Sequence, residues 1–170
     1  MPGRPSAAEA AEHYFKYINK VVGENVQKVL REQLEEMESL FAVISEDMSL
    51  QRYAPDKWSI RELLNHVTDT ERAFAFRALW FARGFPTPLP DYDQNIAAAG
   101  VDADKISWAD HCDEFRQVRL STISLFANMP AEAWSKTGVA SNSTFSVNAL
   151  AFITAGHVAH HIAILRERYL

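Results

Sequence analysis

Apolar residues recur at steps of three and four in four separate stretches of this chain, and each stretch must bury its stripe against the others. The first runs through Val26, Leu30, Leu34, Met37, Phe41 and Ile44. The second opens at Ser59, which forms a capping-box pattern with Glu62, and continues through Leu63, Leu64, Val67, Phe74 and Phe81 to Gly84. Pro86, Pro88 and Pro90 exclude further helix there. Ser107 with Asp110 caps a third helix marked by Trp108, Phe115, Val118, Thr122, Phe126 and Met129, ending near Pro130. Ser146 caps a fourth that carries Leu150, Ile153, Ile164 and Leu165 to the C-terminus.

Between these stretches the sequence reads as connection. Glu12 to Val22, with Tyr14, Phe15, Tyr17 and Ile18, is a short aromatic helical segment placed across the bundle, followed by Gly23. Phe85 to Lys105 is a long loop of a kind that often covers a site, and Lys136 to Ser143 is a polar, glycine-containing link. The expectation is an all-α four-helix bundle over residues 1–170, one domain, with up-down and crossover topologies both open. Composition agrees: 48% hydrophobic, 23% charged and six glycines suit amphipathic helices better than disorder or a turn-rich β sandwich.

Net charge is −5, with 17 Lys and Arg scattered among 22 Asp and Glu, so no basic stripe is available for nucleic acid. No apolar run approaches the roughly 20 residues that span a bilayer, and residues 1–11 lack the apolar stretch of a secretory signal. A cytoplasmic protein with no membrane partner is expected. Cys112 is the one cysteine, so no internal disulfide forms. Three residues before Phe115, it reads as a small buried apolar residue.

Six histidines are present, three of them in Gly156-His157-Val158-Ala159-His160-His161. At about 100° per residue, His157 and His161 fall on the stripe shared with Leu150, Thr154, Ile164 and Leu165, while His160 lies at or beyond its edge. A bundle core gains nothing from two imidazoles unless something satisfies their nitrogens, and a divalent ion does so. A third ligand must come from elsewhere. His66 borders the stripe of the second helix and is the candidate, although a lone histidine at a helix edge is more often a hydrogen-bonded structural residue. His13 and His111 have no metal-like neighbour at helical spacing.

Tyr53-Ala54-Pro55-Asp56-Lys57-Trp58-Ser59-Ile60-Arg61-Glu62 through His66, then Asp69-Thr70-Glu71-Arg72 and Phe74 to Leu79, resembles the entry to the second helix of the DinB/YfiT superfamily. Ile153 to His161, and on through Leu165 to Leu170, is similar to that family's closing helix. The resemblance implies a four-helix bundle whose histidine triad holds a divalent metal, with His66, His157 and His161 in the ligand positions. Similar proteins include thiol-dependent transferases that use bacillithiol, mycothiol or glutathione.

Three neutral imidazoles leave an ion with its full charge and an open position, the arrangement of a catalytic site. Zinc is the first expectation, with nickel or iron also suited to imidazole. The reading is a thiol-dependent S-transferase acting on small electrophiles, with a low-molecular-weight thiol as co-substrate. Metal-dependent hydrolysis is the enzymatic alternative, and a non-catalytic, metal-stabilised homodimer the other; a homodimer is expected in any case. Beyond the ligands no catalytic residue is assigned. Asp91 and Asp93 on the long loop are weaker choices for a fourth ligand or proton acceptor. Thr70 and Arg77 share the face of His66, but Arg77 lies three turns away, about 16 Å, and is expected to line a pocket or form an ion pair. Glu71 is expected to be an exposed charge or an ion-pair partner.

Overall fold

In the computed structural model, which describes residues 3–170, the chain forms α1 (Phe15–Ile18), α2 (Val26–Phe41), α3 (Ile60–Arg83), α4 (Gln94–Ala99), α5 (Trp108–Ala127), strands β1 (Thr137–Ala140) and β2 (Ser143–Ser146), and α6 (Val147–Arg168). The four long helices match the periodic stretches, and their starts are fixed by the expected side chains. Ser59 Oγ accepts from Glu62 N at 3.1 Å while Ser59 N donates to Glu62 Oε2 at 2.7 Å, which completes the capping box. Ser107 Oγ accepts from Asp110 N and Ser146 Oγ from Ala149 N. α3 stops at Gly84, whose φ of 81° is open to glycine without strain.

Side-chain contacts set the helix directions. Arg61, at the start of α3, donates to Asp104 O and Ile106 O just ahead of α5, and Glu71 further along α3 pairs with Arg119 further along α5. These two helices therefore run parallel. Tyr169 at the end of α6 donates to Trp58 O ahead of α3, so α3 and α6 are antiparallel. Gln27 reaches Phe126 O and Arg116 reaches Glu38, so α2 and α5 are antiparallel; Gln33 bonds Ala155 O and Glu36 pairs with Arg166, so α2 and α6 are parallel. Both α2 and α3 pack on α5 and on α6, which places α2 diagonally opposite α3 and α5 diagonally opposite α6. The order is up-down-down-up, which decides between the two open topologies.

Parallel α3 and α5 also explain the long connection. After the 24 residues of α3 the chain must return about 36 Å to begin α5 at the same end. Residues 85–107 make that return, and they are not the unstructured loop expected: they contain α4, capped by Asp93, and a 3₁₀ turn at Ala103–Lys105. The link before α6 likewise differs from expectation. It is an antiparallel hairpin of β1 and β2, turning at Ser141 and Asn142 with φ of 50° and 57°. Two residues at positive φ make the tight turn that matches strand twist, and here neither is glycine.

α6 is buried along the whole of Val147 to Val158, because α1, α2, α3 and the hairpin surround it. The sequence reading of a single inward stripe is therefore too narrow. By length and hydropathy α6 is also apolar enough to cross a membrane, contrary to the expectation of no such run, and 78% of that window is covered inside the bundle. Such covering accounts for the apolarity, since the central helix of a bundle has no solvent face. Cys112 is buried as expected, and burial pushes its thiol pKa up to about 12, which leaves it unreactive.

Two apolar clusters make up the core. One joins α1, the hairpin and the first half of α6; the other joins the end of α2, the start of α3 and the second half of α6. His66 and His157 lie at the seam between them.

Candidate metal centre

α3 and α6 cross where their polar positions meet. His66 projects from the second turn of α3, and His157 and His161, one turn apart on α6, face it from the antiparallel helix. His157 Nε2 lies 3.1 Å from His66 Nε2 and 3.1 Å from His161 Nε2. All three rings offer a nitrogen within 4.8 Å of the others, and all three are buried. Among the described residues no carboxylate or thiol joins this group.

These distances test the fit of an ion directly. Imidazole nitrogens bound at 2.0–2.1 Å at the corners of a tetrahedron lie about 3.3 Å apart, close to the spacing seen. Hydrogen bonding among the rings is a poorer account. Each neutral ring carries one N–H, so three Nε2 atoms facing one another offer more lone pairs than protons if Nδ1 holds the hydrogen. His161 Nδ1 is buried without a hydrogen-bond partner among the described residues. His66 Nδ1 has Thr70 Oγ1 at 3.4 Å. The donor set fits a divalent ion.

Burial keeps the rings neutral, as ligation requires. Loss of hydration, followed by the charge of His160, pushes the His66 pKa down to about 4. The same loss, with His66 and His160 adding to it, brings His161 to about 3, and burial likewise holds His157 well below its ordinary value. Trp58, Tyr17 and Phe74 supply the apolar surroundings, with ring centroids 4.9 Å from His66 and 5.4 and 6.1 Å from His157. Tyr17 approaches so closely because residue 156 is glycine: a Cβ there would sit 2.1 Å from Tyr17 O.

The other polar positions singled out in the sequence divide clearly. His160 is half-buried, contacts Tyr17 and His161 edge-on, and stays outside the converging group, as its place at the stripe's edge suggests. His111 is buried and bonded to Ala103 O, a structural histidine. His13 is exposed against Tyr14. Asp93 caps α4, and Asp91 accepts from Tyr92 N; neither touches the triad. Glu71 is an ion-pair partner but not an exposed one. It is 1% exposed and grips Arg119 through bonds of 2.7–3.1 Å, because α3 is covered by α5 as well as α6.

Two cavities flank the triad. One, of about 230 Å³, reaches His66 and His157 and is walled by Tyr14, Thr70, Arg77 and Tyr92; the other, of about 310 Å³, reaches His161 beside Trp58 and Tyr169. Sequence reasoning missed Tyr14, Tyr17 and Ser141 as surroundings of the site, since nothing local marks them. Arg77 does line the first cavity, as expected of it.

The profile of the DinB superfamily matches residues 30–165. The chain belongs to the DinB superfamily. Among solved structures, YfiT from Bacillus subtilis, described as a probable metal-dependent hydrolase with an unusual four-helix bundle topology, aligns at a TM-score of 0.69 and 16% identity, covering 96% of this chain and 89% of its own. A mycothiol-dependent maleylpyruvate isomerase aligns at 0.68 and 13% identity over 81% of this chain, which spans 58% of that protein. A histidine-to-alanine variant of the isomerase aligns at 0.66. At these identities the DinB-superfamily chain shares a fold with them. No curated protein matches the sequence.

Proposed function

We propose that this DinB-superfamily protein is a metal-dependent enzyme in which His66, His157 and His161 hold a divalent ion, zinc first, and that it joins a low-molecular-weight thiol through its sulfur to a carbon of a small electrophile, the thiol losing its proton as the S–C bond forms. The observation that carries the metal is the convergence of three buried imidazoles on one point. When bound, the ion supplies positive charge that favours a thiolate or a hydroxide near neutral pH.

The chain's own groups do the rest. The two cavities give small molecules access to the triad from either side, and Trp58, Phe74 and Tyr17 exclude bulk water from the rings. Thr70 lies beside His66 Nδ1 and orients that ring. Thiol transfer is placed ahead of hydrolysis because no carboxylate joins the converging group as a general base for water, and Asp91, which shares the first cavity with His66 and His157, is engaged by the Ser141 hydroxyl and Tyr92 N. A thiolate needs no such base once formed.

Metal content of protein purified without an affinity tag is the first test, and about one equivalent of zinc, nickel or iron is expected. The loaded and chelated forms are then screened with glutathione, bacillithiol and mycothiol against a panel of electrophiles. Thiol consumption in the loaded form alone supports transfer; ester or amide cleavage without thiol moves the assignment to hydrolysis. Protein that neither retains nor takes up a divalent ion refutes the reading.

A further inference from the structure

Among the described residues three arginines are buried, and two have carboxylate partners: Arg61 pairs with Glu46 and Arg119 with Glu71. Arg77, 5% exposed, has none within 4.0 Å among the described residues. Its Nη2 donates to Ser141 Oγ at 2.8 Å and to Pro90 O at 3.3 Å. A guanidinium carries five N–H groups in a planar fork suited to a carboxylate, and withdrawing it from water without a counter-charge is strongly unfavourable. Asp91 is the nearest candidate counter-ion. Its exposed carboxylate is engaged by the Ser141 hydroxyl and by Tyr92 N, and these, with a weaker attraction from Arg77 itself, hold its pKa below the usual range.

The position of Arg77 says where the missing anion comes from. His66, Thr70, Ala73 and Arg77 follow one another at steps of four, three and four along one face of α3, and helical side chains lean toward the N-terminus, here toward the triad. Arg77 lines the cavity that reaches His66 and His157. It also lines a larger open cleft of about 620 Å³ between α3 and α4, with Phe76, Leu89, Ile96 and Val101 on its apolar side and Asp69, Arg72 and Asp91 at its polar edge. The guanidinium thus stands at the junction of this cleft and the metal site. The hairpin holds it there. Gly138 lets β1 lie against the ring of Phe81, where a Cβ would come within 2.1 Å, and the turn accepts positive φ at Ser141, whose hydroxyl meets Arg77.

We propose that Arg77 is the carboxylate anchor for an amphiphilic substrate, whose anionic group binds at this junction and whose apolar body lies in the cleft between α3 and α4. This assignment rests on the triad as the reacting centre for its catalytic meaning, but not for the binding itself.

Binding is therefore measured on chelated, metal-free protein by calorimetry, with octanoate, octanol and acetate as probes. Octanoate is expected to bind at least tenfold tighter than either octanol, which lacks the charge, or acetate, which lacks the body. Arg77→Met should abolish the preference over octanol while zinc affinity stays within about twofold. Ala97→Trp, which fills the cleft without touching Arg77, should weaken octanoate at least tenfold. If Arg77→Met fails to fold, the octanoate-to-octanol ratio of the unmodified protein and the Ala97→Trp result decide the matter. Equal binding of octanoate and octanol overturns the proposal, as does unchanged octanoate binding by folded Arg77→Met. Protein that binds octanoate as described but takes up no zinc retains the anchor and refutes the metal reading alone.

Discussion

Lowering the pH of the metal-free protein from about 7.5 to about 5.5 should remove about 4 kcal/mol of folding stability, because three histidines are buried in their neutral form. Burial is the main cause in each case: it brings His66 to about 4 and His161 to about 3, and holds His157 well below the ordinary value. In the unfolded chain each titrates near 6.5. Above that value neither state binds the proton and the contribution is fully present. As pH falls below it, the unfolded chain takes up protons that the folded chain refuses, and stability drops until the folded pKa is reached. Over the stated window one such histidine loses about 1.4 kcal/mol, and three lose about 4. Half-exposed His160, whose pKa is also lowered by burial, acts in the same direction. Urea unfolding at both pH values in the presence of a chelator measures the difference, and folded His66→Gln should lose about a third of it. Saturating zinc should raise stability at the upper pH and steepen the dependence, since protons and the ion compete for the same nitrogens. A change below about 1 kcal/mol would refute the reasoning, for it would mean that the rings are hydrated or already charged in the folded chain.

Replacing His66, His157 or His161 by alanine should each abolish stoichiometric zinc uptake, whereas His160→Ala should leave it intact, as metal analysis of the dialysed variants will show. Gly156→Ala forces a methyl against the backbone of Tyr17, which cannot yield as a side chain can; about 1–3 kcal/mol of destabilisation in urea is expected. Arg119→Met leaves Glu71 buried without its partner and should lose about 3–5 kcal/mol, while Arg119→Met combined with Glu71→Leu recovers part of that loss, a comparison suited to a double-mutant cycle.

The parts of this fold that were legible in the sequence are those written locally. Ser59, Ser107 and Ser146 cap helices by bonds that span three residues, and the spacing of His157 and His161 puts both rings on one face whatever surrounds them. The direction of α5 was not legible, because parallel packing on α3 depends on contacts such as Glu71 with Arg119, 48 residues apart. The hairpin escaped because its turn uses Ser141 and Asn142 where a glycine would have signalled it. His66 stood between two readings until α6 was placed opposite it. Arg77 could be assigned to a pocket from its helix face, but its lack of a carboxylate partner is a property of everything around it.

Among the buried polar groups of α3, Glu71 and His66 face different ways, and their contrast separates support from chemistry. Glu71 lies about 140° around the helix from His66, against α5. There Arg119 donates to both Glu71 oxygens, to Gln33 Oε1 and to Leu30 O, so the charges cancel and the fork is occupied on two sides. Nothing in that network is left to bind. On its other side α3 presents His66, which meets His157 and His161 of α6, and Arg77, which has no carboxylate within 4.0 Å among the described residues; His161 Nδ1 is unpartnered there, and cavities adjoin both groups. Buried polar groups are tolerated only when satisfied. That one network is closed while the other is left open beside cavities supports both proposed ligands: a cation at the imidazoles, and an anion at the guanidinium.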